Sequence, residues 1–196
     1  MTKYYKKGNA LNEKILKGMN TLADNVGATL GPKGRNVILY DKTQNVPVIT
    51  KDGVTVAKFV ELEDPFENVG VQILKQAAEH SATTAGDGTT TATVLARGIL
   101  NRAQKYLAAG MSPIELKRGM DKACGRISWT LQQAARPIQS EEDILHIATI
   151  SANNDKAIGT LISKAVDSAG KDGSVLVEEA RSVETSLDLI EGFRFD

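Results

Sequence analysis

The sequence predicts a mainly α-helical chain that carries one small β-hairpin and is followed by a shorter α+β segment. Three observations carry this prediction. Long stretches repeat apolar residues every three or four positions, the spacing of a helical face. One pair of short β-branched runs is bounded by glycine, proline and aspartate. Beyond Pro137 the periodic segments shorten. An apolar content of 41% against 24% charged residues is enough to build a core around such elements.

Taken in order, Leu11, Ile15, Met19, Leu22 and Val26 form one stripe over residues 10–27, with Asn9 as the expected N-cap. Gly31-Pro32-Lys33-Gly34 breaks that helix. Residues 36–40 and 47–50 read as paired strands, and Lys51-Asp52-Gly53 as the turn after them. Phe66, Val69, Ile73, Leu74, Ala77 and Ala78 mark a second long helix. Ala92, Leu95, Ala96, Ile99, Ala103 and Leu107 mark a third, beginning near Gly88. A fourth starts at Ser112-Pro113-Ile114-Glu115, where Ser caps, Pro takes the first helical position and Glu completes a capping box. Its stripe is Leu116, Met120, Ala123, Ile127 and Leu131, which places Cys124 near a buried face. Pro137 and the polar run after it predict a hinge. Ile158, Leu161, Ile162, Ala165 and Val166 then form a helix closed by Gly170, and 175–177 and 187–189 read as strands. The expected organisation is a domain over 1–136, a small segment over 137–190, and the start of another domain at 191–196.

Composition excludes several functions. Lysine plus arginine and aspartate plus glutamate number 24 each, so no net field draws the chain to nucleic acid or to an anionic membrane. The basic N-terminal residues Lys3, Lys6 and Lys7 lead into polar sequence rather than the apolar run of a signal peptide, and the expected location is the cytoplasm. With one cysteine and two histidines, His80 and His146, at no ligand spacing, zinc binding is not expected.

The most informative stretch is Ala85-Gly-Asp-Gly-Thr-Thr-Thr-Ala-Thr-Val-Leu-Ala96. A helix N-terminus has unpaired N–H groups and the positive end of the helix dipole, so Asp87 there is a natural N-cap. The same geometry also suits a phosphate ligand. Glycines on both sides of Asp87 let a bulky group approach, N–H groups and threonine hydroxyls donate to phosphate oxygens, and the carboxylate can hold Mg²⁺ against them. The common phosphate-loop and dinucleotide signatures are absent. Read from the residues alone, both readings stand.

Seven motifs in order narrow the choice: TLGPKGRNV at 29–37, ITKDGV at 49–54, ELEDPFENVG at 61–70, AGDGTTTATVLA at 85–96, AAGMSP at 108–113, LKRGMDKA at 116–123 and TISAN at 149–153. Together they closely resemble the group I chaperonins, the bacterial GroEL-type proteins, from about residue 8 to the end of the chain.

The resemblance implies an ATP-driven protein-folding subunit with an equatorial ATP-binding domain, an intermediate hinge domain and an apical domain. Such subunits form stacked seven-membered rings that bind unfolded client proteins and a co-chaperonin. By matching positions it implies a nucleotide pocket lined by Thr29, Leu30, Gly31 and Pro32, with Lys51 near the phosphates. Asp87 would bind Mg²⁺, and Gly88, Thr89, Thr90 and Thr91 would cradle the phosphates. Thr29, Lys51 and Thr90 would help hold K⁺. Asp52 would sit near the γ-phosphate and assist hydrolysis, while Ile150 and Ser151 would border the pocket from the second segment.

The resemblance also implies what lies outside this sequence. The second half of the equatorial domain, the water-orienting acidic residue and nearly all of the apical domain belong to later parts of the family chain. Two expectations follow: this is the N-terminal portion of an ATP-dependent chaperonin subunit, or a naturally short, hydrolysis-incompetent protein that joins or blocks full-length rings.

Overall fold

A computed structural model describes residues 5–41, 46–170, 173–178, 185–190 and 192. The helical stripes seen in the sequence become the helices α1 (Asn9–Gly27), α3 (Pro65–Ala85), α4 (Thr89–Ala108), α5 (Pro113–Ala134) and α7 (Lys156–Ala169). The hairpin joins β1 (Val37–Asp41) to β2 (Val46–Thr50), antiparallel, with Ile38 opposite Ile49 and Tyr40 opposite Pro47. The chain divides into two compact units, 1–126 and 127–196.

Two helices stand where no stripe points to one. Helix α2 (Gly53–Phe59) follows the hairpin directly, so Lys51-Asp52-Gly53 is not a free turn but a helix start. Helix α6 (Glu141–Ser151) opens on a capping box in which Ser140 and Asp143 satisfy each other's backbone. Helix α1 also departs from expectation at its start. Gly8, not Asn9, occupies the cap position, and its carbonyl accepts from the N–H groups of Leu11 and Asn12.

The core of the first unit forms where α1 crosses α3. Met19, Leu22, Ala23 and Val26 of α1 meet Val71 and Leu74 of α3, Val56 and Ala57 of α2 and Leu39 of β1, all buried. The crossing is close because glycines sit at it. A β-carbon on Gly18 would stand 1.8 Å from the Glu67 carbonyl oxygen, and one on Gly70 would stand 2.0 Å from that of Ile15. Lys14 pairs with Asp64, the N-cap of α3, and Lys17 with Glu67 at 2.9 Å, which ties α1 to the start of α3. The Lys14 ammonium is the main influence holding the Asp64 carboxyl below its usual range.

Helix α5 contains no buried residue. Ile127 and Leu131 are exposed, and Cys124 is exposed rather than on a buried face. Periodicity identifies the apolar face of a helix but not whether another element covers it. In the second unit α6 packs on α7, with Gly159 so near Thr149 that a β-carbon would stand 2.2 Å from its hydroxyl. Asn153 and Asn154 make the turn between them with φ of 55° and 67°.

The strands expected at 175–177 and 187–189 do not form: 173–178 and 185–190 have no regular structure, and Val177, Leu189 and Ile190 are exposed. A short apolar run becomes a strand only against a partner ladder, which the run itself cannot specify. The domain start expected at 191–196 lies, apart from Gly192, outside the described residues. Among the described residues no helix is long and apolar enough to cross a membrane.

Candidate functional site

The first glycine-rich turn closes the C-terminus of α1. Thr29 is buried, and its hydroxyl donates to the Val26 carbonyl at 2.8 Å. Gly31 has φ of 72°, the Gly34 N–H donates to the Gly31 carbonyl at 2.9 Å, and the Arg35 N–H returns to the Ala28 carbonyl at 2.8 Å. Backbone bonds, the Arg35 N–H among them, thus fix the loop. Leu30, Gly31 and Pro32 stand exposed at its tip.

Asp52 is fixed by the start of α2. Its Oδ1 accepts from the Val54 N–H at 3.2 Å, and its Oδ2 accepts from the Thr55 N–H at 2.8 Å and the Thr55 hydroxyl at 2.7 Å. Burial pushes this carboxyl up, but the bonds from Thr55 and Val54 and the nearby Lys58 charge outweigh it and hold the group below its usual range. Asp52 is therefore a fixed anion. A carboxylate has about four acceptor positions, so the three bonds leave one on Oδ1. Lys51, just before it, is exposed.

At the head of α4 the chain makes two left-handed steps, Gly86 with φ of 72° and Gly88 with φ of 81°. Only glycine takes this conformation without strain, so the alternation places Asp87 at the tip of a sharp turn. The cap position falls on Gly88, and no side chain caps the helix. Asp87 is thus not the N-cap expected from the sequence. Its Oδ1 accepts from the adjacent Gly88 N–H at 2.5 Å, while its carbonyl accepts from the Ser81 hydroxyl at 2.9 Å. Thr89 is buried, Thr90 half-buried and Thr91 exposed, so the hydroxyl-bearing residues span the opening of the helix.

These segments meet through Gly53. It is buried between α4 and α1: a β-carbon there would stand 2.0 Å from Thr90 Oγ1 and 3.4 Å from Val26 Cγ1. Asp52 and Thr90 are thereby held on neighbouring elements, and Val26 is the residue whose carbonyl holds Thr29. Three residues outside the expected set take part: Gly53, Thr55 and Ser81. Asp followed three positions later by Thr was a readable capping signal for Thr55. Gly53 reads locally as a turn glycine and nothing local marks Ser81, since both act through other segments of the chain.

Ile150 and Ser151 form the last turn of α6, in the second unit, and both are exposed. Among the described residues no three histidines, cysteines or carboxylates gather as metal ligands. A hard cation at Asp87 would complete its oxygen shell from a bound ligand and water, which is the way Mg²⁺ is usually held beside phosphates. An exposed carboxylate at the open end of a helix, beside threonine hydroxyls, fits that role.

A sequence profile for the TCP-1/cpn60 chaperonin family matches residues 22–196, which includes every segment of this site.

Proposed function

The chain belongs to the TCP-1/cpn60 chaperonin family, whose chaperones assist protein folding, generally as ATPases, and from that premise we propose that it carries the ATP site of a group I-type subunit. Thr29, Leu30, Gly31 and Pro32 line the nucleotide, and Lys51 lies by its phosphates. Gly88, Thr89, Thr90 and Thr91 donate to phosphate oxygens at the open end of α4, whose dipole favours the negative charge. Asp87 holds Mg²⁺, and Thr29, Lys51 and Thr90 contribute oxygens to K⁺. Mg²⁺ held there would neutralise charge that develops on the phosphates as the γ-phosphoryl group is transferred to water and ADP leaves.

Asp52 works as an orienting acceptor rather than a strong base. A carboxylate held below its usual range binds protons weakly, and the remaining acceptor position on Oδ1 is suited to fixing a water or a donor near the γ-phosphate. The complete subunit assembles into a seven-membered double ring in the cytoplasm and couples turnover to client folding with a co-chaperonin.

What supports this reading above all is the contact of Gly53 with Thr90, which brings two separate motifs to one place. The test is ATP binding by the complete protein with and without Mg²⁺. Asp87→Ala is expected to remove the Mg²⁺-dependent gain in affinity and to lower turnover at least tenfold. Unchanged Mg²⁺-dependent affinity and turnover would overturn the assignment.

A further inference from the structure

Among the described residues Lys75 of α3 is the one buried lysine. It is 7% exposed, and lysine is rarely so buried unless its ammonium is held. Its Nζ donates to the carbonyl oxygen of Lys58 at 2.8 Å. Lys58 lies in the last turn of α2, where carbonyls have no intrahelical partner and the helix dipole is negative. A cation there satisfies both demands.

The position of this bond gives it a consequence beyond packing. Helix α2 has seven residues, too few to be stable by itself. It is fixed at its N-terminus by Asp52 and by the approach of Gly53 to Thr90, and at its C-terminus by Lys75. Lys75 also lines a small cavity with Val54 and Ala57 of α2 and Thr89, the first residue of α4. Val56 and Ala57 keep the middle of α2 in the core, so releasing the C-terminal end lets the helix tilt about that buried centre, and the Asp52 carboxylate at the opposite end moves with it. Misplacement by about 1 Å is enough to cost a reaction about 100-fold.

We infer that Lys75 is a positioning residue for Asp52: through the Lys58 carbonyl it anchors α2 and sets the carboxylate against the Thr89–Thr91 opening. The inference rests on the proposed ATP site for its effect on turnover, but the anchoring itself does not depend on that reading.

The test uses Lys75→Met, which keeps the length and removes the donor, and Lys75→Arg, which keeps a donor, in the complete protein. Hydrogen exchange of the amides at 56–60 should speed at least tenfold in Lys75→Met while those at 19–26 in α1 change little. The same variant should lower kcat about tenfold or more, with ATP affinity within about threefold. Lys75→Arg should retain at least half of the turnover. Added to Asp52→Asn, Lys75→Met should reduce kcat by less than twofold further, because the residue it positions is already gone. A role in general packing predicts the opposite, a further drop of similar size in both backgrounds. Should Lys75→Met not fold, Lys75→Gln, a shorter donor that loses the contact while keeping a polar head, carries the same test. Unchanged exchange at 56–60 overturns the anchor, and unchanged kcat with faster exchange overturns the link to Asp52. If the wild-type protein neither binds nor hydrolyses ATP, the proposed site fails while the exchange result still decides the anchor.

Discussion

Gly53 and Thr90 touch so closely that a β-carbon on the glycine would stand 2.0 Å from the threonine hydroxyl oxygen. Gly53→Ala must therefore push α2 away from the head of α4. Overpacking of a buried site costs about 1–3 kcal/mol, and ATP turnover should fall at least tenfold because Asp52 moves with the helix. The contact itself can be tested separately. Removing the hydroxyl with Thr90→Ala makes room, so the stability loss in Gly53→Ala should shrink in the double variant, with a coupling above about 0.5 kcal/mol in a denaturation cycle. Simple additivity would show that the two residues do not meet.

Asp52 has two roles that substitutions can separate. Asparagine caps a helix about as well as aspartate but carries no charge. Asp52→Asn is expected to leave stability within about 0.5 kcal/mol, while Asp52→Ala, which loses the cap, costs about 0.5–2 kcal/mol. Both should lower turnover by tenfold or more. Acidity gives an independent check. Since the native carboxyl is held below the ordinary value of 3.8, the folded state favours the ionised form. The stability this contributes is present above that value and is lost as pH falls through the native one. Urea midpoints of wild type and Asp52→Asn should differ by a constant amount near neutrality and converge below pH of about 4.

The helical part of the fold was legible because α1, α3, α4, α5 and α7 are each long enough for their stripes to repeat. Helix α2 was hidden by its length and by Lys51-Asp52-Gly53, which reads equally well as a turn. Helix α6 gave a capping signal at Ser140 and Asp143 but too short a stripe to follow it. Val175–Val177 and Leu187–Leu189 have strand-like composition without a ladder to join, and Cys124 lies on an apolar face that is exposed. For the site, the order of motifs pointed to Asp52, Asp87 and the threonines, since each motif is local. Their meeting through Gly53, and the support from Ser81 and Lys75, depend on tertiary contacts that leave no mark on nearby sequence.

The crossing of α1 and α3 makes a sharper prediction about stability. Gly70→Ala would place a methyl group 2.0 Å from the Ile15 carbonyl oxygen, and neither helix backbone can yield without disturbing Met19, Leu22 and Leu74. A loss of about 3 kcal/mol or more is expected. Gly98→Ala is the control, because Gly98 lies within α4 with nothing within 4 Å of the added carbon. Alanine is the better helix former by about 1 kcal/mol, so this variant should be the more stable protein. Denaturation midpoints that move in opposite directions would support the crossing; a shared direction would argue against it.

Gly86 and Gly88 differ in what surrounds them, and that difference predicts how each variant behaves. Both have left-handed backbone, which costs an alanine about 1–2 kcal/mol. At Gly86 nothing lies within 4 Å, so the cost there is the backbone alone. At Gly88 the added carbon also meets the Ser81 hydroxyl at 3.4 Å, the group that holds the Asp87 carbonyl at 2.9 Å. It also occupies the cap position, where a methyl group stands at the mouth of α4. Gly88→Ala should therefore weaken Mg²⁺-ATP binding more than Gly86→Ala at similar stability. Comparing their binding isotherms in the complete protein separates obstruction at the helix opening from strain in the turn, since strain alone would weaken both equally.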